Sequence, residues 1–163
     1  MAATSRQIVT PKNRYTAMVR WLALDVGAQR VGVALSDREE RVVTPQAAIP
    51  FGSPQELAQR VAKLVQSWDV EAVLVGVPTT RSGQSRGEAR VRQVVAVLTQ
   101  VLPLPVTTWD ERGTTQEAEA LLVARGLPAR KRREKLDALA AAVLLESFLA
   151  LRRERTSGSR VGG

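Results

Sequence analysis

The chain has 163 residues, with 24 Lys and Arg against 16 Asp and Glu for a formal net charge of +8, and it contains neither histidine nor cysteine. Those absences exclude a Ser-His-Asp triad, a thiol nucleophile, an imidazole or thiolate zinc site and a disulfide framework, leaving carboxylates, hydroxyls, Arg and Lys to do any chemistry. Carboxylates without imidazole are hard oxygen donors, which suit Mg²⁺ or Mn²⁺.

The length fits one domain with a core large enough to stand without staples. No apolar run approaches the ~20 residues of a membrane span and no signal-peptide stretch opens the chain, so the expectation is a cytoplasmic protein with no membrane partner. Residues 1–17 are polar and basic without hydrophobic period; they read as a flexible arm, or as lying upstream of a true start at Met18. Val19 to Val26 and Arg30 to Ser36 are apolar runs parted by Gly27-Ala28-Gln29, the pattern of a β-hairpin with Gly at the turn. Arg41 to Ile49 reads as a third strand, which Pro45 restricts to an edge. Ser53-Pro54-Gln55-Glu56 supplies an N-cap, a first-turn Pro and an acid, and Leu57, Val61, Leu64 and Val65 follow at helical spacing.

Glu71 to Val77 is predicted as a buried strand, and Glu88 to Val101 as a helix with Val91, Val94, Val95 and Leu98 on one face. A fifth strand is expected at Pro105 to Trp109. A third helix is expected at Thr114 to Arg125, where Thr114 and Glu117 form a capping-box pattern. A last helix is expected from Arg133 to Leu151, and Arg152 to Gly163 reads as a basic flexible tail. Arm and tail each carry a net +3, leaving +2 for the domain spanning residues 18–151. The order βββαβαβαα predicts an α/β domain: a five-stranded mixed sheet, its first three strands antiparallel, flanked by helices. That order matches the ribonuclease-H-like fold, which does not by itself assign chemistry.

Three acids stand out. Asp25 interrupts the apolar strand Trp21-Leu22-Ala23-Leu24-Asp25-Val26, where an unpartnered carboxylate is costly; the plain alternative is an acid capping the turn. Asp137 shares a helical face with Ala140, Ala141 and Leu144, the stripe a terminal helix would press onto the sheet, unless it is only a first-turn acid favoured by the macrodipole. Asp110 and Glu111 follow the fifth strand and compete for a third role, against a plain reading as helix-capping acids. Three acids from distant segments are what two Mg²⁺ or Mn²⁺ ions about 3.5–4 Å apart require, and such a pair drives phosphodiester hydrolysis without histidine.

Two basic clusters lie beside these acids. Arg81, Arg86, Arg90 and Arg92 surround a loop containing Gly83 and Gly87, while Arg125, Arg130, Lys131, Arg132, Arg133 and Lys135 lead into Asp137. Both are also compatible with a solvated surface, but their placement favours contact with a nucleic-acid backbone over base readout. The Gly-rich loop is no P-loop, since G-x-x-x-x-G-K-[ST] does not occur.

Leu24-Asp25-Val26-Gly27 with Arg30, Val31-Gly32-Val33-Ala34 and Ser36-Asp37, then Val75-Gly76-Val77-Pro78 with Gly83, then Asp110-Glu111-Arg112 with Thr114-Thr115, then Leu136-Asp137 with Ala140-Ala141, resemble in order the YqgF/RuvX family of RuvC-like nucleases. Gly113 departs from the apolar residue expected in that family's D-E-R-x-T-T motif. The resemblance implies a ribonuclease-H-like fold and a cytoplasmic hydrolase, a nuclease that matures the 5′ end of pre-16S rRNA in ribosome biogenesis, with branched DNA such as a Holliday junction as the second substrate. It also implies metal carboxylates at Asp25, Glu111 and Asp137, with Arg30, Arg112 and Thr115 nearby. The charge pattern leaves monomer and homodimer open. Asp25-Val26-Gly27 ahead of a hairpin also resembles the phosphate motif of actin-like ATPases, but those close two such domains on a nucleotide and 163 residues hold one. A third reading is a non-catalytic nucleic-acid-binding module in ribosome assembly.

Overall fold

In the computed structural model, residues 18–78, 86–110, 126 and 129–161 are described. Five strands, β1 (Trp21–Val26), β2 (Arg30–Ser36), β3 (Val43–Pro50), β4 (Ala72–Val77) and β5 (Val106–Asp110), form one sheet in the order β3-β2-β1-β4-β5. β2 pairs antiparallel with both β1 and β3, whereas β4 runs parallel to β1 and to β5. This is the mixed ribonuclease-H-like sheet that the element order predicts. Pro45 sits on the edge strand, where its missing N–H breaks no ladder on the open side.

Helices α1 (Pro54–Ser67) and α2 (Arg86–Val101) cover one face, and α3 (Ala129–Val161) the other. The strands dictate this division through side-chain size. Along β1, Leu22, Leu24 and Val26 turn toward α1 and α2, with Val31, Val33, Val73 and Val75 beside them. The alternate positions carry small residues at Ala23, Ala34 and Ala72, with Trp21 and Leu74 as the large ones, and against these α3 packs Ala141, Leu144, Leu145 and Leu149. Removing Cβ branches from one side of a sheet lets a helix settle close to its backbone. α1 begins as its sequence requires: the Ser53 hydroxyl accepts from the Glu56 amide at 3.1 Å, and Leu57, Ala58, Val61 and Val65 are buried.

Several boundaries differ from expectation. β3 starts at Val43 rather than Arg41, because the Arg41 and Val42 amides donate instead to the Asp37 carboxylate at 2.8 and 3.0 Å, closing the turn. Burial pulls the Asp37 carboxyl slightly up, but these backbone N–H donors outweigh it and hold the group below its ordinary value. α2 starts at Arg86 rather than Glu88, and β5 is displaced by one residue. α3 outruns the expected Arg133–Leu151 at both ends and continues through residues expected as a tail.

Tertiary contacts explain that extension. Arg152 lies with its Nε 2.9 Å from Glu40 Oε1, Trp21 Nε1 donates to that same Oε1 at 2.6 Å, and Arg153 donates to the Glu40 backbone carbonyl. Glu40 holds a left-handed backbone, φ 58°, in the β2–β3 turn, and is buried. Phe148 meets Trp21 and Trp109 edge to face, so the C-terminal half of α3 is anchored by both rings and an ion pair. The predicted helix Thr114–Arg125 lies outside the described residues. Among those that are described, no helix is long and apolar enough to cross a membrane.

Candidate active site

The hairpin positions the first acid. Gly27 donates its N–H to the Arg30 carbonyl at 2.9 Å, and a Cβ at Gly27 would stand 2.7 Å from that oxygen, so the turn closes only on glycine. Asp25 follows Ala23 on the alternation of β1 and so belongs to the α3 face, half-buried, at the C-terminal end of a central strand. Its register partner on β2 is Gly32.

Gly32 brings the second acid down. A Cβ built on it would overlap the Asp137 carbonyl group and lie 3.3 Å from the Asp137 Cα. Only a hydrogen at this position lets α3 touch the sheet, and the touch falls on the strand position paired with Asp25. The two acidic residues that looked anomalous in separate segments thus belong to one face of the sheet, with the Asp137 backbone resting on the strand position paired with Asp25. Arg30, two residues before Gly32 and on the same face of β2, places its Nε 3.2 Å from Asp137 Oδ2. Both side chains keep some solvent access, 48% for Arg30 and 29% for Asp137.

Asp110 ends β5, a parallel strand whose C-terminal edge is shared with β1 and β4. Trp109 packs toward Phe148 on the α3 face, so alternation sends Asp110 to the opposite side from Asp25 and Asp137. Glu111, Arg112, Thr115, Arg81 and Arg125 lie outside the described residues. Among the described residues alone, no three acids form a group able to hold a metal ion.

The basic residues divide. Arg90 and Arg92 are on α2, which covers the other face, and Arg92 is engaged by Glu88 at 2.9 Å; Arg86 opens that helix. Arg130, Lys131, Arg132 and Arg133 fall in the opening turns of α3 and Lys135 just beyond, leading into Asp137. Cations there oppose the positive end of the helix macrodipole, and α3 has no acid in its first turn to offset them.

Sequence reasoning missed three features. The Arg30–Asp137 ion pair could have been found from strand parity, since Arg30, Gly32 and Ala34 alternate onto one face. Gly32 itself carried a signal, as a glycine inside a strand marks a close approach. Nothing in the sequence singled out Glu40, whose partners are 19 and 112 residues away.

A family model described as RuvX, Holliday junction resolvase, matches residues 19–151. The chain belongs to the RuvX family. Relatives provisionally named pre-16S rRNA nuclease include that of Chloroflexus aggregans, 38% identical over 133 residues, covering 81% of this chain and 94% of the relative. That of Desulforudis audaxviator is 38% identical over 136 residues, 83% and 96% of the two chains. The Bacillus thuringiensis relative is 39% identical over 137 residues, 80% and 98%. Among solved structures, Thermus thermophilus RuvC bound to a Holliday junction superposes with TM-score 0.55 at 18% identity, over 83% of this chain and 96% of RuvC. The fowlpox virus resolvase bound to Holliday junction DNA gives 0.52 at 10%, over 80% and 97%. At those identities the likeness establishes the fold, and this RuvX-family chain has the ribonuclease-H-like one.

Proposed function

We propose that the protein is a divalent-metal-dependent nuclease that hydrolyses phosphodiester bonds, with structured RNA of the pre-16S rRNA type as substrate. The observation that carries this reading is the seating of Asp137 on Gly32, the register partner of Asp25, which gathers two carboxylates on one face where a cation is already drawn in. That donor set fits a hard ion. Asp25 and Asp137 would hold Mg²⁺ or Mn²⁺, and Glu111 would complete a set for two ions, a role that Asp110 on the opposite face fits poorly. When bound, such ions activate water toward phosphorus and stabilise the departing oxygen.

The chain's own residues supply the rest. Asp25 is held at the end of a strand buried on both sides, so its carboxylate is positioned without a mobile loop. The run from Arg130 to Arg133 would bind backbone phosphates, with Arg30, Arg81, Arg86, Arg90, Arg112 and Thr115 as further contacts. Backbone contacts of this kind orient a strand without reading its bases. The relatives' names support precursor rRNA as the substrate. The family description supports a second reading, resolution of branched DNA. A dimer suits a symmetric four-way junction and a monomer a single RNA strand, so sedimentation separates the two.

The test is a cleavage panel of wild type and Asp25→Asn on pre-16S rRNA, a single strand and a four-way junction, each with Mg²⁺ or Mn²⁺. Loss of precursor cleavage in the variant, with folding and RNA binding retained, supports the proposal. Undiminished cleavage by Asp25→Asn refutes the metal-carboxylate site, and cutting of the junction alone transfers the substrate to DNA.

A further inference from the structure

Asp137 is seated on Gly32, the register partner of Asp25, so two acidic residues share one face of the sheet, where a nearby cation lowers the energy of either charge. Arg30 is such a cation. Its backbone is pinned, with its carbonyl accepting from Gly27 and its position in register with Pro50, while its side chain is half exposed and reaches Asp137 Oδ2 through Nε at 3.2 Å. A guanidinium on a long stem is a soluble, exchangeable partner; a divalent ion needs the same carboxylate oxygen as a ligand. The two compete for the same carboxylate oxygen.

We propose that Arg30 is an exchangeable counter-ion, which neutralises Asp137 in the metal-free protein and is displaced when a divalent cation binds there. The displaced guanidinium is left at the edge of the site, within reach of a backbone phosphate that follows the metal in. Loading and substrate capture then become coupled, because each event removes a partner that the other must otherwise displace. The inference rests on the proposal that Asp137 is a metal ligand, and it adds a role for Arg30 beyond contact with nucleic acid.

Calorimetric Mn²⁺ titration of the full-length protein tests it, comparing wild type with Arg30→Gln, Asp137→Asn and Arg60→Gln. Arg60 pairs with Glu56 on α1, across the sheet, so its variant loses the same charge without touching Asp137. Expected is Mn²⁺ affinity about three- to fivefold higher in Arg30→Gln, the size of a partly exposed ion pair, and unchanged in Arg60→Gln. Equal or weaker affinity in Arg30→Gln overturns the proposal, as does an equal gain in Arg60→Gln. If Asp137→Asn abolishes Mn²⁺ binding while Arg30→Gln leaves it unchanged, the metal site stands and the counter-ion role alone fails. If neither wild type nor Arg30→Gln binds Mn²⁺, both readings fall.

A second measurement uses wild type alone. On Mg²⁺ saturation, the Arg30 Nε–H signal in ¹⁵N-detected spectra should shift and exchange faster with water, as its partner is lost. A signal unmoved by saturating Mg²⁺ overturns the displacement.

Discussion

Replacing Gly32 with alanine places one methyl group where α3 meets the sheet. A Cβ there overlaps the Asp137 carbonyl, and the Asp137 Cα is only 3.3 Å away, so no side-chain rotation relieves the clash. Non-bonded carbon contacts settle near 3.5–4.0 Å, so the helix must lift by on the order of 1 Å. It cannot lift freely: Ala141, Leu144, Leu145 and Leu149 are buried against Ala23, Ala34 and Leu74, and Phe148 is wedged between Trp21 and Trp109. Overpacking of this kind costs about 1–3 kcal/mol, and with backbone as the opposing atoms the upper half of that range applies. For a chain of this size each kcal/mol lowers Tm by about 2–4 °C, so a fall of roughly 4–12 °C is expected. Displacing Asp137 by an ångström relative to Asp25 should also reduce cleavage about 100-fold. Thermal and urea denaturation measure the lost stability and a cleavage assay the lost activity, with weakened Mn²⁺ binding in calorimetry as the sign that Asp137 has moved and Gly52→Ala as control, since the atom its Cβ would meet is the movable end of the Glu56 side chain. A Gly32→Ala protein within about 0.5 kcal/mol of wild type, binding Mn²⁺ equally well, would refute the seating of α3 on Gly32.

Glu40→Ala removes the acceptor shared by Trp21 and Arg152 and takes the carboxylate away from a largely buried guanidinium; about 2–3 kcal/mol of stability should be lost, most of it restored by also changing Arg152 to Met. Equal losses in the single and double variants would show that the pair is not coupled. Asp37, held below its ordinary value by backbone donors, stabilises the fold fully above the unfolded carboxylate range near pH 4 and loses that contribution as pH falls through its lowered folded value. Asp37→Asn should therefore be less stable than wild type at pH 7, with the gap closing toward pH 2.5, and a gap constant across that range in urea titrations would contradict the assignment.

Strand and helix periods were legible because they follow from local sequence. Trp21 to Val26 could only be a buried central strand once both alternating sets proved apolar, and Pro45 could only sit on an edge. Ser53 and Pro54 announced α1, where the cap bond requires only residues three apart. The acids at 25 and 137 were legible as anomalies, since a carboxylate on an apolar stripe is costly wherever the stripe ends up. Boundaries were less legible where side chains compete for backbone donors, as Asp37 does for the amides of Arg41 and Val42.

Composition, periodicity and the ordered motifs from Leu24 to Ala141 were therefore sufficient for the fold class and for Asp25 and Asp137 as candidates. What needed the folded chain was proximity. That Gly32 receives Asp137, that Arg30 reaches that carboxylate, and that Arg152 reaches back across 112 residues to Glu40 all depend on how α3 is seated. Helix seating is set by side-chain volume summed over a whole sheet face, with Ala23, Ala34 and Ala72 making the room. No local window of sequence contains that sum, whereas strand alternation and helix caps are decided within a few residues.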